Sequence, residues 1–314
     1  MTRQTVRAPG KVFLFGEWAV IAGAPAVVMA VDRHVRVRFL PGATGSAPLV
    51  QAARRMAEEF LGVPPSSTAW EADSSALFLA GRKIGLGSSA AVAAAAVGSV
   101  FAEQGCDLSE LPVRWTILRL AREVHRRLQG GRGSGVDVAA AVFGGIRVHR
   151  TGITGPEAPP AFALPPGLSV RFLWTGREVS TPDRLEVFEE FRSRQPGAAD
   201  EAMDRLVVTA RALVEPPPGD RQHFLSALED HADALDRLGS LAGLPMRPAD
   251  DSPEVRRTRA HGGVLKASGS GGGDLLVAFL PDETLEPWDR DLRSLGFDPF
   301  PLPAAREGIH CAEE

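Results

Sequence analysis

Three lysines stand in a chain of 314 residues that otherwise builds its positive charge from 32 arginines: Lys11, Lys83 and Lys266. Each lies beside a glycine-rich segment. An ammonium is a compact point charge and a guanidinium a wide planar fork, so a crowded phosphate site can demand the lysine. The strongest of these segments is Lys83-Ile84-Gly85-Leu86-Gly87-Ser88-Ser89-Ala90-Ala91. Its two glycines free the backbone to curl ahead of a helix of alanine and valine. The N–H groups at that helix start, with the positive end of the helix dipole, make an anion cradle. Ser88 and Ser89 add hydroxyls suited to phosphate or to Mg2+. No Gly-Lys-Ser/Thr follows at Walker spacing, which excludes a P-loop of that type. The loose form G-x-G-x-x-A, with Glu103 about 18 residues on, admits a dinucleotide fold as well.

Three further segments carry groups of the same kind. Ala8-Pro9-Gly10-Lys11 leads to Gly16-Glu17-Trp18; Pro-Gly predicts a turn, after which a strand carries Lys11 and alternate side chains inward. Gly131-Arg132-Gly133-Ser134-Gly135-Val136-Asp137 opens a short apolar helix with Asp137 in its first turn. A carboxylate there compensates the helix dipole, but among alanine and valine an ionised group needs a partner, and Lys11 is the natural candidate. Lys266-Ala267-Ser268-Gly269-Ser270-Gly271-Gly272-Gly273-Asp274 places four glycines and two serines between two apolar runs. That is more than a hairpin of two to five loop residues requires, so the spacing predicts N–H donors wrapped around an anion.

The elements that must position these groups alternate in type. Strands are predicted over residues 5–7, 12–15, 26–30, 35–39, 76–79, 143–149, 169–173, 263–267 and 275–280, from period-two or short apolar runs. Helices are predicted over 49–60, 89–103 and 112–128, several more between 183 and 241, and one after 280. Residues 151–166, rich in Pro, Gly and Thr, form the expected linker. Mixed blocks without strict βαβ alternation indicate α+β with two lobes, 1–165 and 166–314.

A net charge of −4 argues against a general nucleic-acid binder. No apolar run reaches the roughly 18 residues of a membrane span. Two cysteines, Cys106 and Cys311, supply neither a disulfide framework nor a metal cluster. The N-terminus lacks the apolar segment of a signal peptide, so the cytoplasm is the expected location. Nothing in the sequence fixes the oligomeric state; a homodimer is compatible with it.

Taken together the four segments resemble the signature set of the GHMP kinases, in order and at sensible intervals. Ala8-Pro9-Gly10-Lys11 with Gly16-Glu17 is similar to the family's first motif, Gly85-Leu86-Gly87-Ser88-Ser89-Ala90-Ala91 to its phosphate loop, and 269–273 to its closing glycine loop. The dinucleotide reading explains one of the four. Ala30-Val31-Asp32-Arg33, the stretch 133–145, Trp174-Thr175-Gly176 with Val179-Ser180-Thr181, and Asp274 resemble phosphomevalonate kinases more than mevalonate kinases. Trp18 and Ser270 depart from the pattern.

The resemblance implies a two-lobed kinase fold, an active site in the cleft between lobes, and ATP with Mg2+. ATP phosphates would lie on Lys83, Gly85, Leu86, Gly87, Ser88, Ser89 and Ala90, with Ser88 toward Mg2+. Asp137 would accept or orient the proton of the attacking oxygen, and Lys11 would neutralise charge on the transferred group. Glu17, Trp18, Ser180, Thr181, Lys266, Ser268, Gly269, Ser270 and Gly271 would form the acceptor pocket, with Arg177, Lys83 or Arg132 at an acceptor phosphate. The mevalonate kinases place a metal-binding glutamate about eleven residues before the aspartate; here that position is Arg126, and Glu123 is the substitute. The acceptor expected is a phosphorylated acid or alcohol. Mevalonate, a sugar, or a catalytically silent ATP-binding sensor are the other readings.

Overall fold

A computed structural model describes residues 5–39, 46–65, 69–131, 133–152, 155, 157–215, 217 and 219–312; Arg132 and part of the expected linker lie outside them. In chain order the elements are β1 (Thr5–Phe15), β2 (Ala26–Phe39), α1 (Pro48–Leu61), β3 (Trp70–Asp73), β4 (Phe78–Leu79), β5 (Arg82–Lys83), α2 (Ser88–Glu103), α3 (Leu111–Leu128), α4 (Val136–Phe143) and β6 (Ile146–His149). There follow β7 (Leu168–Trp174), α5 (Thr181–Arg194), α6 (Pro196–Ala212), α7 (Arg221–Ala242), α8 (Pro253–Ala260), β8 (Val264–Ala267), β9 (Leu275–Pro281), α9 (Leu285–Ser294) and β10 (His310–Ala312). No helix among the described residues is long and apolar enough to cross a membrane.

The chain divides into two compact units, one of Met1–Val12, Val28–Ala161 and Pro303–Glu314, the other of Phe13–Val27 and Phe162–Leu302. Two segments are exchanged across the main division between residues 161 and 162. Packing explains both. Trp18, Ala19 and Ala24 are core residues of the second unit, buried with Leu185, Phe188, Leu206 and Leu235. At the other end, β10 pairs antiparallel with β1, Thr5 opposite Ala312.

The first unit is built on the strand order β10-β1-β2-β3, with β6 also on β2. Its central helix is α2, buried from Ala90 through Ala102. A helix apolar all round must be covered all round, and α1, α3 and α4 all pack on it. Alanine lets these axes come close. Gly98 goes further: a Cβ there would run into Ile309 Cδ1, so the C-terminal segment is seated on the helix backbone. The second unit holds the antiparallel sheet β7-β9-β8, with one apolar cluster around Trp288 and Leu292 and the other among α5, α6 and α7.

The Pro9-Gly10 turn does not form. β1 runs unbroken through it, and Gly10 serves close approach instead, since a Cβ would stand 2.8 Å from both Leu77 Cδ2 and Leu86 O. The strands expected at 26–30 and 35–39 are one strand, β2. Phe143 ends α4 rather than starting β6, and 76–79 is a 3-10 turn followed by β4. Strands β3 and β10 were not expected; each owes its existence to a partner strand rather than to a strong pattern of its own.

Candidate active site

In the first unit the phosphate-loop segment takes the predicted form. Gly85 and Gly87 hold positive φ, 77° and 71°, a region glycine enters without steric penalty. Ile84 and Leu86 are buried and anchor the loop, and Lys11 N–H donates to Leu86 O at 2.8 Å. Gly87 is the N-cap of α2 and offers no side chain to close the helix end. Ala91 N–H donates to Gly87 O at 3.1 Å, so the N–H groups of Ser88, Ser89 and Ala90 precede the helical ladder as donors for an anion.

Lys11 is held against this loop. Its Nζ donates to Gly85 O at 3.3 Å, and its methylene chain lies over Gly87, where a Cβ would come within 2.9 Å of Lys11 Cε and 3.0 Å of Cγ. Gly87 thus supplies both the left-handed turn and the room for the lysine. A Gly87→Val variant strains the backbone and displaces Lys11 at once. With strain of about 1–3 kcal/mol, the Kd for a non-hydrolysable ATP analogue should rise at least about fivefold while the fold survives. Calorimetric titration checks this, and unchanged affinity in a folded variant would remove the loop from the site.

Asp137 sits in the first turn of α4 behind Gly135, an N-cap at φ 68°. The space a side chain would occupy there is filled by Arg122, whose Nε donates to Gly135 O at 3.0 Å. Asp137 Oδ1 accepts from Val138 N–H at 2.9 Å. Its Oδ2 faces His125, with Nδ1 at 3.8 Å. His125 Nε2 in turn meets Ser89 Oγ at 2.9 Å. Burial pulls the Arg122 guanidinium below its ordinary pKa, and the Asp137 charge opposes that fall. His125 and Arg122 stand near the Asp137 carboxylate, and Lys11 Nζ donates to Gly85 O.

Glu123 departs from its expected role as a magnesium ligand. It accepts from Arg127 Nε at 2.7 Å and from Arg126 Nε and Nη2 at 3.2 and 3.0 Å, spacings that the helix itself provides. Those hydrogen bonds, Arg127's first, hold its pKa down. No group of three or more His, Cys, Asp or Glu fit for a metal occurs among the described residues. Lys83 lies exposed on β5.

The second unit gathers the remaining candidates. Lys266 and Glu17, 1% and 2% exposed, are each other's partner: Lys266 Nζ donates to Glu17 Oε1 and, at 2.6 Å, to Ala267 O. His231, wholly buried, lies 3.6 Å from Glu17 Oε2. Its Nε2 accepts from Gly16 N–H at 3.1 Å, so its Nδ1 carries the hydrogen and donates to Thr209 Oγ1 at 3.0 Å. Burial drives the Lys266 pKa down, with Glu17 opposing; it would raise that of Glu17, but the Lys266 ammonium brings Glu17 below its usual range. Both were expected to face an acceptor; they form a buried charge pair instead.

The glycine loop 269–273 is also shaped by packing. A Cβ on Gly271 would meet Met246 Sδ at 2.7 Å, one on Gly272 would strike Arg184, and one on Gly273 would strike Val179. Gly272 N–H already donates to Met246 O at 2.8 Å, which takes that donor from the anion nest read from the sequence. Ser270 O accepts from Trp18 Nε1 at 3.2 Å and Arg184 Nε at 2.9 Å, and Ser268 Oγ donates to Phe13 O at 3.0 Å. Gly269 faces open space. Ser180 Oγ is the N-cap acceptor of α5, from Asp183 N–H at 3.4 Å, so its hydroxyl has a structural use. Thr181 opens that helix, and both it and Arg177 are exposed. Arg177 O accepts from Asp274 N–H at 2.7 Å.

Four residues of these sets went unnoticed in the sequence: His125, Arg122, His231 and Arg184. His125 left one trace, its place on the Ile117-Leu118-Ala121-Val124 face of α3, where a histidine is out of character.

The N–H groups at the start of α2, with Lys11 held against that turn, make a place where an anion can bind. Residues 48–145 match the GHMP kinases N terminal domain. The chain is 27% identical over 375 aligned residues to a phosphomevalonate kinase of Streptomyces sp. (strain CL190), covering 96% of this chain and 97% of that protein. It is 27% identical over 349 residues to a mevalonate kinase of Pyrococcus horikoshii, covering 98% and 97%. Among solved structures, Streptococcus pneumoniae phosphomevalonate kinase in complex with phosphomevalonate and AMPPNP shares the fold, with TM-score 0.68 and 19% identity over 96% of this chain and 99% of that one. Residues 48–145 thus carry the likeness to the GHMP kinases N terminal domain, and along nearly its whole length the chain is similar to kinases that act on mevalonate or phosphomevalonate.

Proposed function

We propose that the enzyme moves the γ-phosphoryl group of ATP onto (R)-5-phosphomevalonate, giving 5-diphosphomevalonate in the mevalonate route to isoprenoids. The observation that carries the transfer chemistry is the uncapped start of α2 with Lys11 along it and Asp137 reached through His125. The acceptor rests on likeness to the Streptomyces phosphomevalonate kinase along nearly the whole chain.

In this reading backbone N–H groups of 87–90 receive the nucleotide phosphates, and Lys11 neutralises charge on the transferred group. Asp137 orients the attacking oxygen. The hydroxyl of half-buried Ser88 is the hard oxygen donor suited to Mg2+, which is otherwise held by substrate phosphates. When bound, that ion offsets the negative charge of the phosphates. Exposed Lys83 is proposed for the acceptor's phosphate.

The test is an ATP-consumption assay across phosphomevalonate, mevalonate and a set of sugars and alcohols. Turnover should be highest with phosphomevalonate by at least about tenfold in kcat/KM, a margin of about 1.4 kcal/mol. Preference for mevalonate, which the similarity to archaeal mevalonate kinases makes the second reading, would overturn the acceptor and keep the kinase. ATP binding without turnover on any acceptor would favour the sensor.

A further inference from the structure

We propose that His125 is a positioning residue that ties Asp137 to the phosphate loop, so that the first turns of α2 and α4 hold one arrangement. The proposal rests on the kinase reading above. His125 is 3% exposed on the buried face of α3, yet neither of its ring nitrogens is confined to its own helix. Nε2 lies 2.9 Å from Ser89 Oγ in the first turn of α2, and Nδ1 lies 3.8 Å from Asp137 Oδ2 in the first turn of α4. Gln129, the C-cap of α3, sets its amide nitrogen 3.4 Å from Nε2.

These neighbours assign the tautomer. An amide nitrogen can only donate and a serine hydroxyl is able to, so Nε2 is the acceptor and Nδ1 carries the hydrogen. That hydrogen faces a carboxylate, which when ionised only accepts. At 3.8 Å the contact is longer than a direct hydrogen bond; such bonds are often long in a free enzyme and tighten in its complexes. With Val138 N–H on Oδ1, the imidazole on Oδ2 and Arg122 beside them on α3, the carboxylate is framed on both oxygens. The Ser89 hydroxyl is engaged with the ring, leaving phosphate to the backbone N–H groups and Ser88.

Two conservative variants separate the two nitrogens. The amide nitrogen of Asn reproduces the Nδ1 donor, and the amide oxygen of Gln the Nε2 acceptor. His125→Asn should keep kcat within about threefold of wild type and raise KM for ATP. His125→Gln should keep that KM and lower kcat by about 10²-fold, the effect of a misplacement near 1 Å. His125→Ala should lose both. Folded Asn and Gln variants that both behave as Ala does in each parameter would reduce His125 to a packing role and overturn the proposal, as would an Ala variant equal to wild type. Imidazole nitrogen NMR of the unmodified protein reads the same link without turnover or variants of His125. It should show the neutral Nδ1–H tautomer, with its signals displaced in Ser89→Ala and in Asp137→Asn; an Nε2–H tautomer overturns the proposal. If the tautomer and both displacements are found while no acceptor is phosphorylated, the link between the two turns stands and the kinase reading falls.

Discussion

Lys266→Met should lower the free energy of unfolding by about 3–5 kcal/mol, because it leaves the Glu17 carboxylate buried without its cation. Glu17→Gln should do comparable damage by stranding the ammonium. The double variant should lose far less than the two single losses together, since a neutral pair no longer has a charge to compensate. Denaturant titration of the three variants measures this. Single losses under about 1 kcal/mol would mean that water reaches the pair. Acid should expose the same chemistry. The folded pKa of Glu17 lies below its reference of 4.5, so its contribution is complete above that value and is lost as pH falls through the folded pKa. The folded pKa of His231 lies below 6.5 through burial, opposed by Glu17; the unfolded chain therefore takes up a proton that the fold refuses, and stability already falls from about pH 6.5 downward. In Glu17→Gln the part of that decline below 4.5 should flatten.

Asp137→Asn should lower kcat by about 10²-fold or more, and Lys11→Met by a similar factor. If the two serve one transition state, the double variant loses much less than the product of the single losses. Lys11→Arg should be nearly as poor as Lys11→Met. The lysine chain runs over Gly87 with no spare room, and a planar fork cannot follow that path to the same point. The pH dependence separates two roles for the carboxylate. A phosphate monoester has its second ionisation near about pH 6, above which the acceptor needs no base. A loss in Asp137→Asn that shrinks as pH rises past that point assigns a base, and a constant loss assigns orientation. A folded Asp137→Asn enzyme with near wild-type turnover on its best acceptor would sink both.

The turn and helix start at residues 85–90 were legible because they are local: glycine at positive φ, small residues behind it and a helix start are all written in consecutive positions. The glycines of 269–273 stood out in the sequence, but the packing that requires them did not. Their walls are Met246, Arg184 and Val179, remote in sequence, and a crowded backbone has the same composition as an anion nest. Glu17 and Lys266 were each read as facing an acceptor because their mutual burial joins positions 249 apart. His125 went unnoticed: a single histidine on an apolar helix face has no local signal, and Ser89 and Asp137 reach it from two other helices. The exchange of 13–27 into the second unit likewise depends on Trp18 and Ala19 finding α5 and α6, which no local pattern announces.

The scarcity of lysine has a practical sequel. Of the three side-chain amines, Lys266 is sealed in the core at 1% exposure, Lys83 is exposed and Lys11 half-buried. An amine-selective acylating reagent therefore meets two addressable lysines, one on the hairpin ahead of the phosphate loop and one laid along it. Peptide mapping after brief labelling, with and without nucleotide, would read occupancy of the loop as a footprint at Lys11.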